Sequence, residues 1–370
     1  MNSSNWYTLA NIHEIDTPAL VVYPERVKEN IRILKSLVPD TSRLRPHMKT
    51  SKSAEVAQML LNEGITKYKC ATIAEAEMLA TAGARDVLLA YQPVGPKAKR
   101  LLELVKRFPE TEFSCLIDNH ESAVQLSSQF EKENQVIKVY LDINVGMNRT
   151  GIATEHALDL FLYARQLHGI NATGLHAYDG HLRDSDFTVR KLKCNESFRA
   201  VENLRDQIIQ HTGRIPRIIA GGTPTFPIHA QRENVECSPG TFIYWDKGYQ
   251  SILHEQPFVF AALVITRIIS KPNEETLCVD LGHKSIASEN PIDKRVYFLN
   301  APGVTPIGHS EEHMVLHTEK GNTWKVGDVL YGVPYHICPT VALHEEATSV
   351  VDQQAQTTWK TTARNRKITV

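Results

Sequence analysis

Between residues 24 and 250 the chain repeatedly alternates short apolar, β-branched runs with longer amphipathic stretches. The short runs lie near residues 45, 69, 88, 115, 140, 174, 218 and 243, the last spanning 241–245, and read as strands. Between them the apolar positions take helical spacing. Val27, Ile31 and Leu34 mark one face of a first helix, with Pro24 at its start. A second helix over 53–63 is stopped by Gly64. Thr72 with Glu75 three residues on predicts a capping box ahead of Ala76, Leu79 and Ala80. The clearest strand is 136–143, and 187–211 reads as a long helix. Eight such units over about 220 residues predict an α/β chain closed into a (β/α)8, TIM-like barrel. An open doubly wound sheet has the same alternation, because periodicity does not reveal closure.

After residue 250 the character changes. Segments 258–269, 276–280, 296–299, 313–317, 328–331 and 347–351 read as strands separated by Gly, Pro and Asn. With 370 residues the chain exceeds the size at which one core usually stops growing. The expected partition is a barrel over 24–250 and a mostly β domain from 1–23 plus 251–370. Residues 19–22 also read as a strand. A ninth stave would not fit the barrel, so this strand is assigned to the β domain.

Charge excludes some partners. Lys plus Arg number 41 and Asp plus Glu 42, a formal net charge of -1, so no basic excess points to nucleic acid. No apolar run approaches the ~20 residues that cross a bilayer, and residues 1–10 lack the layout of a signal peptide. A cytoplasmic protein is expected. The six cysteines are scattered, which suits buried thiols better than a disulfide framework.

Chemistry-bearing residues cluster at the expected C-terminal ends of the barrel strands, the face where such barrels hold their sites. Lys49 ends the run Arg45-Pro46-His47-Met48-Lys49 after the first strand, and is a candidate Schiff-base amine. Arg149 follows the fifth strand and could pair with an anionic or phenolic oxygen. Tyr178 follows the sixth. Gly221, Gly222 and Thr223 follow the seventh and offer backbone N–H groups and a hydroxyl to a phosphate, while Ser238 to Thr241 flank the eighth. Far along the chain, His336 and Cys338 stand at i and i+2. On an extended segment they share a face, and thiolate with imidazole suits zinc and disfavours magnesium. Such a site needs completion by water, substrate or a remote side chain such as His309, His313 or Asp280.

Read together, RPHMKTSK at 45–52, DINVGMNRTG at 142–151, GLHAYDGH at 174–181, GGTP at 221–224, SPG at 238–240 and HICPT at 336–340 resemble one family. It is the pyridoxal-phosphate (PLP) enzymes of the alanine racemase fold type, and within it the metal-dependent D-threonine aldolase and D-serine dehydratase group. The resemblance runs from about Asp16 to the C-terminus. It implies that Lys49 carries the cofactor and moves the substrate's α-proton. Arg149 would lie near the cofactor's phenolic oxygen and Tyr178 near its ring. Gly222, Thr223, Gly240 and Thr241 would hold the phosphate. His336 and Cys338 would ligate a divalent metal, with zinc favoured over manganese. It also implies a homodimer with sites where the barrel of one subunit meets the β domain of the other. One position departs from the pattern: Ser51 stands where the family often has histidine, and Lys52 competes with Lys49 for the Schiff base.

The implied reaction is a lyase reaction on a D-3-hydroxy amino acid. A His-x-Cys pair resembles the dehydratases and a His-x-Asp pair the aldolases. Cys338 therefore tips the expectation slightly towards dehydration, to a 2-oxo acid and ammonia. The alternative is retro-aldol cleavage to glycine and an aldehyde. An amino-acid racemase would give the metal no evident role, and a non-catalytic PLP carrier would not need the pair.

Overall fold

Seven parallel strands pair in the order in which the chain makes them: Lys67–Cys70, Asp86–Leu89, Glu112–Ile117, Ile137–Ile143, Ile170–Ala177, Arg217–Ala220 and Val235–Cys237. Residues 44–48 close the ring. Leu44 bridges Cys237 on one side and His47 bridges Lys69 on the other, both in parallel register. The Arg45 N–H donates to the Cys237 carbonyl at 2.8 Å and the Met48 N–H to the Lys69 carbonyl at 2.9 Å. This closure selects the (β/α)8-like barrel over the open sheet. Leu88, Leu116, Tyr140 and Ile219, from four different strands, pack into one buried cluster.

This computed structural model describes residues 5–370. The barrel belongs to a unit made of Leu34–Lys49, Val56–Gly240 and Asn365–Val370, and a second unit comprises the stretch through Ile33 with Thr50–Glu55 and Thr241–Arg364. Helix ends in the barrel follow local chemistry. Thr72 accepts from the Glu75 N–H at 3.1 Å, and the Glu75 carboxylate reaches back to the Ala71 N–H, so the expected box forms one residue wider. Asp186 caps the long helix Phe187–Thr212, which Gly213 ends at φ 65°.

The last stave differs from the sequence expectation. Residues 241–245 are not a strand; Thr241–Ile243 is a buried 3-10 turn, and the stave is Val235–Cys237. The apolar aromatic run at 241–245 is buried for packing reasons. The true strand is hidden from a hydropathy reading by Glu236 at its centre. That carboxylate is part of a buried ion cluster. The fully buried Arg45 donates to Asp86 through two bonds of 2.6 and 2.9 Å and to Glu236 at 2.7 Å, and Lys67 also reaches Glu236.

In the second unit a nine-stranded sheet is built around one long strand, Ala262–Asn273. Ala19–Val22 pairs antiparallel with it, from Ala19 opposite Ile265 to Val22 opposite Ala262, and parallel with Glu346–Val351. The strand that did not fit the barrel therefore lies in the β sheet. Thr276–Val279 and Val329–Pro334 pair with the long strand as well. Strands Thr305–His309 and Gln354–Lys360 are additions to the sequence reading; the first carries Pro and Gly and the second is mostly polar. Among the described residues no helix is long and apolar enough to cross a membrane. All six cysteines are free, and Cys70, Cys115, Cys194 and Cys237 are buried.

Candidate active site

The C-terminal ends of the barrel strands bring several expected residues together. Lys49 directly follows the closing stave, half-buried, and its N–H donates to His47 Nδ1 at 3.2 Å. Lys52, the competing lysine, lies in a left-handed turn at φ 50°, where its carbonyl accepts from the Ala363 N–H. Tyr178 stands just beyond Ile170–Ala177 with two cations near its ring: Lys69 Nζ is 5.2 Å and the Arg149 guanidinium 5.3 Å from the ring centre. Close approach explains two glycines. A Cβ on Gly222 would lie 2.8 Å from Tyr178 Cε2, and one on Gly180 would meet the Tyr178 hydroxyl. Thr223 Oγ1 accepts from the Gly240 N–H at 3.2 Å, so the two loops proposed to hold a phosphate are joined. That acceptor role leaves the hydroxyl proton to a different partner.

Two features were not singled out from the sequence. Lys69 is buried, and burial, reinforced by the like charge of Lys49, drives its amine down to about 7 against the pull of Asp142 and Asp179. His176 Nδ1 lies 2.7 Å from Asp142 Oδ1. Burial first, then the Lys69 charge, hold His176 below the usual histidine range despite Asp142, so the ring is neutral and Nδ1–H donates to the carboxylate. Its Nε2 is then a bare acceptor, buried and without a hydrogen-bond partner among the described residues. Ser238 Oγ shares that condition. Charged residues in strands read as solvated faces along the chain, and only the barrel turns them inward.

These observations test whether the implied cofactor fits. A flat ring needs a well-fixed aromatic neighbour, and the two glycines let the Tyr178 ring settle against the backbone. A phosphate needs hydroxyl and amide donors beside a turn, which residues 221–223 provide. Unsatisfied buried polar atoms at His176 and Ser238 are what a bound polar group would pair. The residues fit PLP.

The His336–Cys338 pair is placed differently from the extended segment expected. His336 is the N-cap of the helix Ile337–Leu343, and Cys338 lies in its first turn. Within a helix, i and i+2 would point about 200° apart. The extended backbone of the cap, φ -139° and ψ 98°, lets the imidazole hydrogen-bond the thiol instead. His336 Nδ1 pairs with Glu289, and Cys338 Sγ lies 3.1 Å from Thr50 Oγ1 and 3.6 Å from Thr241 Oγ1. Burial lowers the His336 pKa, but Cys338, Glu289 and Asp246 more than offset it and hold the ring at about 9. A carboxylate on one ring nitrogen is the usual support of a metal-binding histidine, so Glu289 is the residue that sequence spacing missed. Two of the remote candidates are engaged elsewhere. His309 sits between Arg295 and the Leu281 carbonyl, and Asp280 accepts from Thr17 and Thr266. A separate buried cluster, Asp179, Cys194 and His229, also has a donor set consistent with a metal site, its ligand atoms all within 4.8 Å of one another.

The family pattern described as "Alanine racemase, N-terminal domain" matches residues 22–247. The chain belongs to that family. It is therefore an enzyme of the fold type III PLP class, and a "Putative serine dehydratase domain" matches residues 261–350 of this alanine racemase relative. The chain is similar to a D-threonine aldolase of Arthrobacter sp, 28% identical over 95% of this chain and 93% of that protein. It is also similar to a D-threo-3-hydroxyaspartate dehydratase of Delftia sp. (strain HT23), 23% identical over 94% of this chain and 97% of that one. Among solved structures, a D-threonine aldolase from Filomicrobium marinum superposes with a TM-score of 0.86 at 26% identity, covering 95% of each chain.

Proposed function

We propose that this chain is a PLP- and divalent-metal-dependent lyase that cleaves D-3-hydroxy amino acids between Cα and Cβ, giving glycine and an aldehyde. The observation that carries this reading is the full-length likeness to D-threonine aldolase in both sequence and fold. It outweighs the slight preference for dehydration drawn from Cys338, because one ligand does not decide which substrate bond is aligned for cleavage. Dehydration stays the second reading, favoured by the thiol and by the dehydratase likeness.

In this reading Lys49 holds the cofactor and returns a proton to Cα once the bond to Cβ has broken; removing the α-proton would be its task only in the dehydration reading. Gly222, Thr223, Gly240 and Thr241 take the phosphate, Arg149 the phenolic oxygen, and Tyr178 the ring. PLP, when bound, supplies the electron sink for the bond broken at Cα. His336 and Cys338 hold the ion, zinc before manganese given the thiol, with Glu289 fixing the imidazole. The ion's purpose is to acidify the substrate's β-hydroxyl, whose proton must leave as the aldehyde forms. The protein is further proposed to act in the cytoplasm as a homodimer, a state that sedimentation of the purified chain reads directly.

Product analysis with PLP, zinc and D-threonine tests the reaction. Glycine and acetaldehyde are expected; 2-oxobutanoate and ammonia would replace cleavage with dehydration. In the same assay Cys338→Ala is expected to lower metal content and to reduce turnover on the order of 10²-fold at limiting zinc. Unchanged metal content in that variant would remove Cys338 from the ion.

A further inference from the structure

Asp179 follows Tyr178 at the barrel mouth and is fully enclosed. Its Oδ1 accepts from Thr225 Oγ1 at 2.6 Å, and its Oδ2 is 2.8 Å from His229 Nε2. Cys194 Sγ lies 3.3 Å from the same Nε2 and 3.6 Å from Oδ2. By distance alone this is a three-ligand metal cluster, but its protons can be assigned. Arg232 has a guanidinium nitrogen 3.1 Å from His229 Nδ1. A guanidinium only donates, so Nδ1 accepts and Nε2 carries the ring proton, directed at Asp179. An ion would need the Nε2 lone pair. Moving the proton to Nδ1 would set it against the arginine. The Cys194 thiol is pushed up to about 12, by burial first and then by the charge of Asp179, so it too keeps its proton.

Asp179 therefore gathers donors from Thr225, His229 and Cys194. Burial would raise its pKa, yet His229 and Thr225 hold it below the usual carboxylate range. Thr225 and His229 border the short helix Phe226–His229, whose first N–H groups bond the Gly222 carbonyl: Thr225 N at 3.1 Å and Phe226 N at 2.9 Å. Tyr178 packs its ring against Gly222. Two consecutive residues thus grip one turn, Tyr178 by contact and Asp179 by charge.

We propose that Asp179, with Thr225 and His229, is a proton-filled clamp that positions residues 221–225 as the bed for the cofactor's phosphate, and that no metal occupies it. The clamp acts on the bed and touches neither substrate nor cofactor. It rests on the PLP reading given above.

The test compares PLP with pyridoxal, which lacks the phosphate, on the purified full chain. Asp179→Asn keeps the shape but puts an amide donor or a weaker neutral acceptor where His229 and Thr225 need an anion. Its PLP dissociation constant is expected to rise on the order of tenfold or more, while borohydride-trapped pyridoxal on the chain stays at the wild-type level. Thr225→Val should move PLP affinity in the same direction, and serves if Asp179→Asn fails to fold. Equal PLP affinity in a folded variant, or equal losses for PLP and pyridoxal, would overturn the clamp. Metal analysis of the His336→Ala/Cys338→Ala double variant gives the second arm. No bound ion is expected, and an ion that disappears on adding His229→Gln would overturn the proton assignment. If the wild-type chain traps neither PLP nor pyridoxal, the underlying PLP reading fails, and the clamp with it.

Discussion

A Lys49→Ala chain is expected to lose cofactor-dependent turnover on the order of 10³-fold or more, and to lose its borohydride-trapped cofactor entirely. The barrel mouth holds two well-placed amines, which makes the outcome informative. Burial drives Lys69 down to about 7, so a large share of it is the free, nucleophilic amine at neutral pH. It is only 3% exposed, whereas Lys49 is half-buried and open to a ligand. Access should therefore decide over pKa. Peptide mass analysis of the reduced wild-type chain reads this directly. The cofactor mass is expected on the peptide with Lys49; its appearance on Lys52 or Lys69 would transfer the role.

The largest effect on stability is expected at the ion cluster around Arg45. Glu236→Ala should lower unfolding free energy by about 3–5 kcal/mol, the range for removing one partner of a buried pair. Arg45 has no exposed side-chain surface, and Glu236 and Asp86 are only 11% and 16% exposed, so water cannot replace a missing carboxylate. Four staves meet there: the closing segment through Arg45, Lys67–Cys70 through Lys67, Asp86–Leu89 through Asp86, and Val235–Cys237 through Glu236. Loss of one carboxylate leaves the guanidinium half-paired and also strands Lys67. Urea unfolding of the variant measures the loss. A shift under about 1 kcal/mol would mean that the cluster behaves like a surface pair.

Much of this architecture could be read along the chain, for physical reasons. Apolar alternation with the helical period announced the barrel because seven of its staves bury one or both faces. The motifs around Lys49, Arg149, Tyr178 and Gly222 stood out because each lies where a strand ends and side chains gather. What escaped was polarity turned inward. Glu236 disguised the last stave, Lys69 was not singled out, and nothing along the chain showed that Asp142 and His176, each inside a quoted motif, would pair. Asp179, Cys194 and His229 come from three separate segments that only folding unites. The cap at His336 was also hidden, since Ile337 and Val341 resemble a short strand until Pro339 is seen in the first turn of a helix.

The ring closes through residues 44–48, which touch their neighbours by isolated bridges rather than a full ladder, joining Cys237 near one end of the barrel segment to Leu44 near the other. Contacts so distant along a chain carry a large loop-closure cost, which favours their forming after the local strand and helix pairs. Lys49 hangs directly on that clasp. A chain stalled before closure would hold most of its helices and strands and still have its amine unplaced. With Lys49 as the proposed cofactor lysine, capture of the cofactor would double as an inspection step, since an amine carried on an unsealed seam would be out of place.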